Sequence, residues 1–207
     1  MSSLYLYPKW VRLWHLFNAI LFIILIVTGL SMQYTGKHQE LLMVGFAKSV
    51  RWHNVSAVLL LLNYIFFVVS NLLTENQKYY HISRKDFLPE LWIQLRYYAY
   101  GMFKGEKHPF PITEKRKFNP LQKFTYVLAM YVAMPLLIIS GIGLLLPEIT
   151  ITRFLGVSGL ILTDLLHITM GFLLSVFMII HIYTCTLGSK PLTLFRGMIS
   201  GFHESDI

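Results

Sequence analysis

The sequence predicts an all-α membrane protein: a single domain over residues 1–207, folded as a four-transmembrane-helix bundle with both termini in the cytoplasm. Three observations lead there. Hydrophobic residues fill 55% of the 207 positions against 14% charged, with a mean hydropathy of +0.56; a soluble domain of this size needs more polar surface. Four apolar runs each approach the ~20 residues that cross a hydrocarbon core of ~30 Å. The 18 Lys and Arg residues are also spread very unevenly.

The first run, about 10–32, is longer than the apolar core of a signal peptide. No small-x-small cleavage site follows it, so it reads as a membrane helix. The second covers about 53–73, the third 121–146 and the fourth 160–185. Strand-like alternation and short turn-punctuated runs are lacking, which leaves helices as the spanning element. The 74–120 loop is the sizeable extramembrane piece. Within it, "FLPELWIQLRYYAYGMF" sets Leu88, Leu91, Trp92, Leu95 and Met102 near one face at helical spacing. That pattern suits an amphipathic helix lying in the cytoplasmic interface, or alternatively a partner-binding helix. "GEKHPFPITEKRKFNP" reads as an extended, proline-punctuated connection into the third helix.

Two basic residues open the first helix (Lys9, Arg12) and three lie between the first two runs (Lys37, Lys48, Arg51). Ten fall between positions 78 and 123, one follows the third helix (Arg153) and two follow the fourth (Lys190, Arg196). With both termini and the long loop on one side, fourteen stand against four. The positive-inside rule places the richer side in the cytoplasm. The net charge of +8 then follows from topology; no nucleic-acid-binding module is visible, and the surrounding partner is the lipid bilayer. The lone cysteine, Cys185, excludes an internal disulfide, a cysteine-only iron–sulfur cluster and the C-x-x-C-H attachment of c-type haem. Any haem is therefore held non-covalently.

Of the eight histidines, His38, His81, His108 and His203 fall in loops or tails and read as solvated side chains. His15, His53, His167 and His181 lie in or at the edge of apolar spans. An imidazole is costly there and points to function, although a single one could simply hydrogen-bond a neighbouring carbonyl. The four sort by depth. His15, near the cytoplasmic start of the first helix, matches His181, near the cytoplasmic end of the fourth. His53 and His167 each open a helix from the external side. On the fourth helix, fourteen residues turn to within about 40° of four full turns and rise ~21 Å, so His167 and His181 share one face at two heights.

Zinc usually takes four ligands, and no acidic or thiol partners accompany these histidines. A proton relay needs carboxylates, and only Asp164 comes near. Porphyrin iron needs two axial ligands, which fits two bis-histidine b haems stacked across the bilayer. Filled axial positions leave one-electron transfer as the chemistry. "LIVTGL" around Gly29 echoes "IISGIGL" around Gly141. These glycines and Gly171 either allow close helix packing or clear space for a flat macrocycle. Arg12 and Arg51 suit propionate neutralisation or plain interfacial anchoring. A histidine-lined proton or metal transporter remains the rival and predicts a colourless protein.

The chain resembles the four-helix di-haem cytochrome b subunits of bacterial respiratory formate dehydrogenases, nickel–iron hydrogenases and thiosulfate reductases. The matching elements are "WHLFN" with His15, "RWHN" with His53, and His167 and His181 fourteen apart. "KHPFPITEKRKFNPLQKFTY" looks most like the thiosulfate-reductase branch. The resemblance implies an inner haem on His15 and His181, an outer haem on His53 and His167, and residence in the bacterial cytoplasmic (inner) membrane. It also implies an iron–sulfur or catalytic oxidoreductase subunit at the external face, and quinone, such as menaquinone, as substrate. In formate-dehydrogenase-like members an asparagine in an N-x-x-Q-K context lies at the quinone site, matched here by Asn119, Gln122 and Lys123. Without the family, "FNPLQK" could be a helix cap with proline at the first position and a basic anchor. A haem-binding anchor or carrier that turns over no quinone is the alternative.

Overall fold

A computed structural model describes residues 3–34, 45–82, 87–187 and 192–204. The readings of His38, Lys37 and Lys190 lie outside the described residues. Among the described residues four helices are long and apolar enough to cross a membrane: α1 (Lys9–Tyr34), α2 (Phe46–Leu73), α4 (Pro120–Leu145) and α5 (Gly159–Cys185). Two shorter helices are α3 (Phe87–Arg96) and α6 (Thr193–Ser200). A spanning helix closes all its backbone hydrogen bonds internally, which hydrocarbon demands.

Three of the spans begin and end within two residues of expectation. The second does not: α2 starts at Phe46, two turns before 53. Hydropathy marks where the apolar stretch opens, but the hydrogen-bonded helix already includes polar Lys48, Ser49 and Arg51, with the Ser49 N–H donating to the Gly45 carbonyl at 3.0 Å. Helix α4 contains a π-helical turn at Ala129–Ala133, just before Pro135. Proline lacks the N–H and crowds the carbonyl four residues back, and the wider turn accommodates both.

A two-residue hairpin precedes α5. Strands β2 (Arg153–Phe154) and β3 (Val157–Ser158) pair antiparallel, and Leu155 and Gly156 turn at positive φ of 49° and 82°. Left-handed conformation at both central residues matches the twist of a tight hairpin.

The chain divides into two compact units, residues 1–9, 70–132 and 182–207 in the first, and 10–69 and 133–181 in the second. The first gathers the start of α1, the end of α2, the start of α4 and the end of α5, which are alternate ends of successive spans. In it, β1 (Ser3–Tyr5) pairs antiparallel with β4 (Phe202–Glu204), so the two terminal segments are joined. Of the apolar face expected over this stretch, Leu88, Trp92 and Leu95 of helix α3 are exposed, whereas Leu91 and the later Met102 are half-buried. It runs through a π turn at Tyr97–Gly101 and stops at Gly105 in the left-handed conformation.

Lys117 is buried at 2% exposure in the first unit, its Nζ 3.5 Å from Asn76 Oδ1 and facing the rings of Tyr7, Tyr79 and Phe118 at 4.8, 5.4 and 5.6 Å. Burial pulls its ammonium down from 10.5 to about 8, while the ring faces partly stabilise the cation. Between pH 8 and 10.5 the unfolded chain therefore holds the extra proton, and stability rises with pH across that window, by about 3 kcal/mol at most. Lys117→Met should remove that rise, read as melting temperature in detergent at pH 7.5 and 9.5. An unchanged pH dependence in the variant would contradict the assignment.

The second unit stacks Trp14 on Phe67 with ring centroids 4.4 Å apart, and it also buries Leu21, Leu60, Met134 and Leu174. The indole Nε1–H donates to the Asn63 carbonyl at 3.1 Å, and Asn63 Nδ2 donates to Asn18 Oδ1 at 3.3 Å. These contacts tie α1 to α2 at the level of His15.

Candidate functional site

The four intramembrane histidines all belong to the second unit, on α1, α2 and α5. The structure brings them together in two pairs. His15 meets His181 with ring centroids 6.0 Å apart and planes at 60°, and His53 meets His167 at 6.3 Å and 72°. These are the partners that depth alone suggests. Two metal–imidazole bonds of about 2.0–2.1 Å would bring axial rings to about 6.4 Å between centroids, so each pair is spaced for one iron. Among the described residues no group of three His, Cys, Asp or Glu could hold a metal ion. A site of imidazole pairs suits porphyrin iron, which brings four nitrogens of its own.

Each histidine of the second pair is held by a hydroxyl from another helix. Thr28 Oγ1 lies 2.9 Å from His53 Nδ1, and Ser140 Oγ lies 3.1 Å from His167 Nδ1. The Leu137 carbonyl also sits 3.2 Å from His167 Nδ1. The next residue in each case is a glycine. A Cβ on Gly29 would come 3.5 Å from His53 Cε1, and one on Gly141 would come 3.1 Å from His167 Cε1. The echo between "LIVTGL" and "IISGIGL" is therefore a repeated hydroxyl–glycine cradle for an imidazole. At Gly171 a Cβ would meet only Leu137 Cδ1, at 3.9 Å. Ser49, four residues before His53 and so on the same face of α2, is fully buried with no hydrogen-bond partner for its Oγ among the described residues. A buried orphan hydroxyl beside this pair fits a site that receives a polar group.

Aromatic rings frame the other pair. Trp14 stands edge-on to His15 at 6.4 Å, and Phe177, one turn before His181, lies nearly parallel to it at 6.0 Å and 14°. Arg12 is half-buried one turn before His15, whereas Arg51 is exposed, two residues before His53. Asp164 is exposed on α5.

The residues singled out at the start of α4 lie in the first unit. Asn119 Oδ1 accepts from the Gln122 N–H at 2.8 Å, and Gln122 Oε1 accepts from the Asn119 N–H at 3.2 Å, a complete capping box with Pro120 at the first helical position. Asn119 Nδ2 also donates to the Tyr98 hydroxyl at 3.0 Å. Burial raises the Tyr98 phenol above its usual range, and the Asn119 hydrogen bond opposes this. Lys123 Nζ donates to the His81 carbonyl at 3.2 Å and lines a cavity of about 190 Å³ with His81, Phe87, Arg116, Phe118 and Pro120. Asn119→Ala should cost ~1 kcal/mol of stability through loss of the cap. Asn119→Asp, which still caps, should restore the melting temperature; equal losses in both would show that the cap is not what the side chain provides.

His81 and His108 are exposed, as expected, though His108 is engaged: its Nδ1 accepts from the Phe110 N–H at 3.2 Å. Sequence reasoning passed over Thr28 and Ser140. The signal was present, since each hydroxyl residue directly precedes a glycine in the two echoing segments.

The prokaryotic cytochrome b561 family matches residues 6–201 of the chain. YdhU of Escherichia coli (strain K12), a protein named as a cytochrome on tentative grounds, is 38% identical over 204 residues, covering 98% of this chain and 76% of that protein. No solved structure matches the chain.

Proposed function

This chain belongs to the prokaryotic cytochrome b561 family, and from that premise we propose that it is the membrane-anchoring di-haem b subunit of a respiratory oxidoreductase, carrying electrons between an external-face partner subunit and the quinone pool. Membership and the four apolar spans make it a multi-pass membrane protein with b-type haem. The observation that carries the finer reading is the pair of imidazole pairs, 6.0 and 6.3 Å across, drawn from α1, α2 and a shared α5. Two-imidazole ligation supplies one-electron transfer and leaves no open iron position for a substrate.

The chain's own groups do the rest. His15 and His181 serve the inner site, His53 and His167 the outer. Gly171, one turn from His167, gives α5 a low profile there, and Arg12 and Arg51 offer cations for carboxylates. The charge bias orients the basic 74–120 loop and both termini to the cytoplasm, in a bacterial inner membrane. The partner at the external face is an iron–sulfur or catalytic subunit of the thiosulfate-reductase type. For quinone, such as menaquinone, Lys123 is the best placed of the three candidates, because its side chain lines a cavity. At about 190 Å³ the cavity is below the ~300–1,000 Å³ of typical ligand sites, so it suits a head group whose tail stays in lipid.

One observation favours the alternative, a haem-binding anchor without quinone turnover: Asn119 and Gln122 are already committed to the capping box. Reduction of the purified cytochrome by menaquinol, blocked by a quinone-site inhibitor, separates the two. Absence of reduction by any quinol contradicts the quinone role.

A further inference from the structure

We propose that Thr28 and Ser140 are positioning residues that lock His53 and His167 in the Nδ1–H tautomer and thereby lower the potential of the iron those histidines bind; the proposal rests on the reading of that pair as haem ligands. Each hydroxyl has one proton, and the geometry places it elsewhere. Thr28 Oγ1 donates to the Ile24 carbonyl at 2.7 Å, with Leu25 O at 3.2 Å. Ser140 Oγ donates to Leu136 O at 2.7 Å, with Leu137 O at 3.0 Å. The oxygen then faces the imidazole with lone pairs only, so the ring nitrogen must be the donor. The Leu137 carbonyl at 3.2 Å from His167 Nδ1 requires the same, because a carbonyl cannot donate.

With Nδ1 protonated, the neutral ring has its free lone pair on Nε2, the nitrogen turned away from the hydroxyl. Donation from Nδ1 also makes Nε2 more basic, and a more basic ligand favours the ferric state. The glycine after each hydroxyl completes the device by letting the ring edge lie against the helix backbone, with Gly141 the tighter of the two. Thr28 is 4% exposed and Ser140 2%, so water does not compete for these bonds.

The test uses the purified haem-loaded protein, comparing Thr28→Val, Ser140→Ala, their combination and Thr28→Ser. Haem content, midpoint potentials and low-spin EPR signals are the readouts. The double variant should keep its haem and raise one of the two potentials by about 60 mV, a tenfold loss of ferric preference for a one-electron couple. One EPR signal should shift and the other stay fixed. Thr28→Ser should behave as wild type, since it keeps the oxygen. Unchanged potential and spectrum in a fully loaded double variant would overturn the proposal alone. If His53→Ala and His167→Ala leave haem content untouched, the ligand reading falls and takes the proposal with it.

Discussion

Each single substitution of an intramembrane histidine by alanine should leave a protein with one haem instead of two, and the four variants should fall into two classes. His53→Ala and His167→Ala lose the same haem, while His15→Ala and His181→Ala lose the other. The reason is arithmetic in ligands: a low-spin site built from two imidazoles keeps one after the change, and among the described residues neither pair belongs to a group of three His, Cys, Asp or Glu. Redox-difference spectra and EPR of the purified variants identify which haem remains. The inner class should also lose reduction by menaquinol, and the outer class should keep it. Loss of the same haem from His167→Ala and His181→Ala would refute the pairing, even though both side chains stand on α5.

The second large effect concerns a residue with no side chain. Gly141→Val should remove the outer haem while leaving the inner one in place. A Cβ at 141 already lies 3.1 Å from His167 Cε1, and two further methyls drive the ring off its axis, because χ1 of valine in a helix is nearly fixed. Gly29→Val should be milder, with 3.5 Å available at His53. Haem content per chain, measured after size-exclusion chromatography to confirm folding, reads the effect. A Gly141→Val protein with two haems and unshifted EPR signals would show that the helix spacing yields more readily than the histidine.

The helices and the histidine pairs were largely legible in the sequence, for physical reasons that apply to membranes. Hydrocarbon forces internal hydrogen bonding, so a long apolar run can scarcely be anything but a helix. Depth follows from counting along it at a known rise. That is why His15 could be matched with His181 before any ring distance was known. The start of α2 was not legible, since a polar turn such as "AKSVR" carries no hydropathy signal whether it is helical or not. Thr28 and Ser140 were hidden for another reason. Ser and Thr are ordinary residues in membrane helices, where they bond to their own helix carbonyls, and only the cross-helix geometry shows that the spare lone pairs meet an imidazole. Lys117 was counted as one more cytoplasmic cation, and its burial among Tyr7, Tyr79 and Phe118 depends on contacts distant in sequence. Asn119 shows the converse: its capping signature was readable locally, and the structure fills it in completely.

Two imidazole pairs that share α5 are proposed to hold two non-covalent b haems. A pyridine haemochrome assay on the purified chain, with protein quantified by amino-acid analysis and haem extracted by acid acetone, tests it most directly. The expected result is two b haems per chain, all extractable. One haem per chain, a colourless protein, or haem that resists extraction would contradict it.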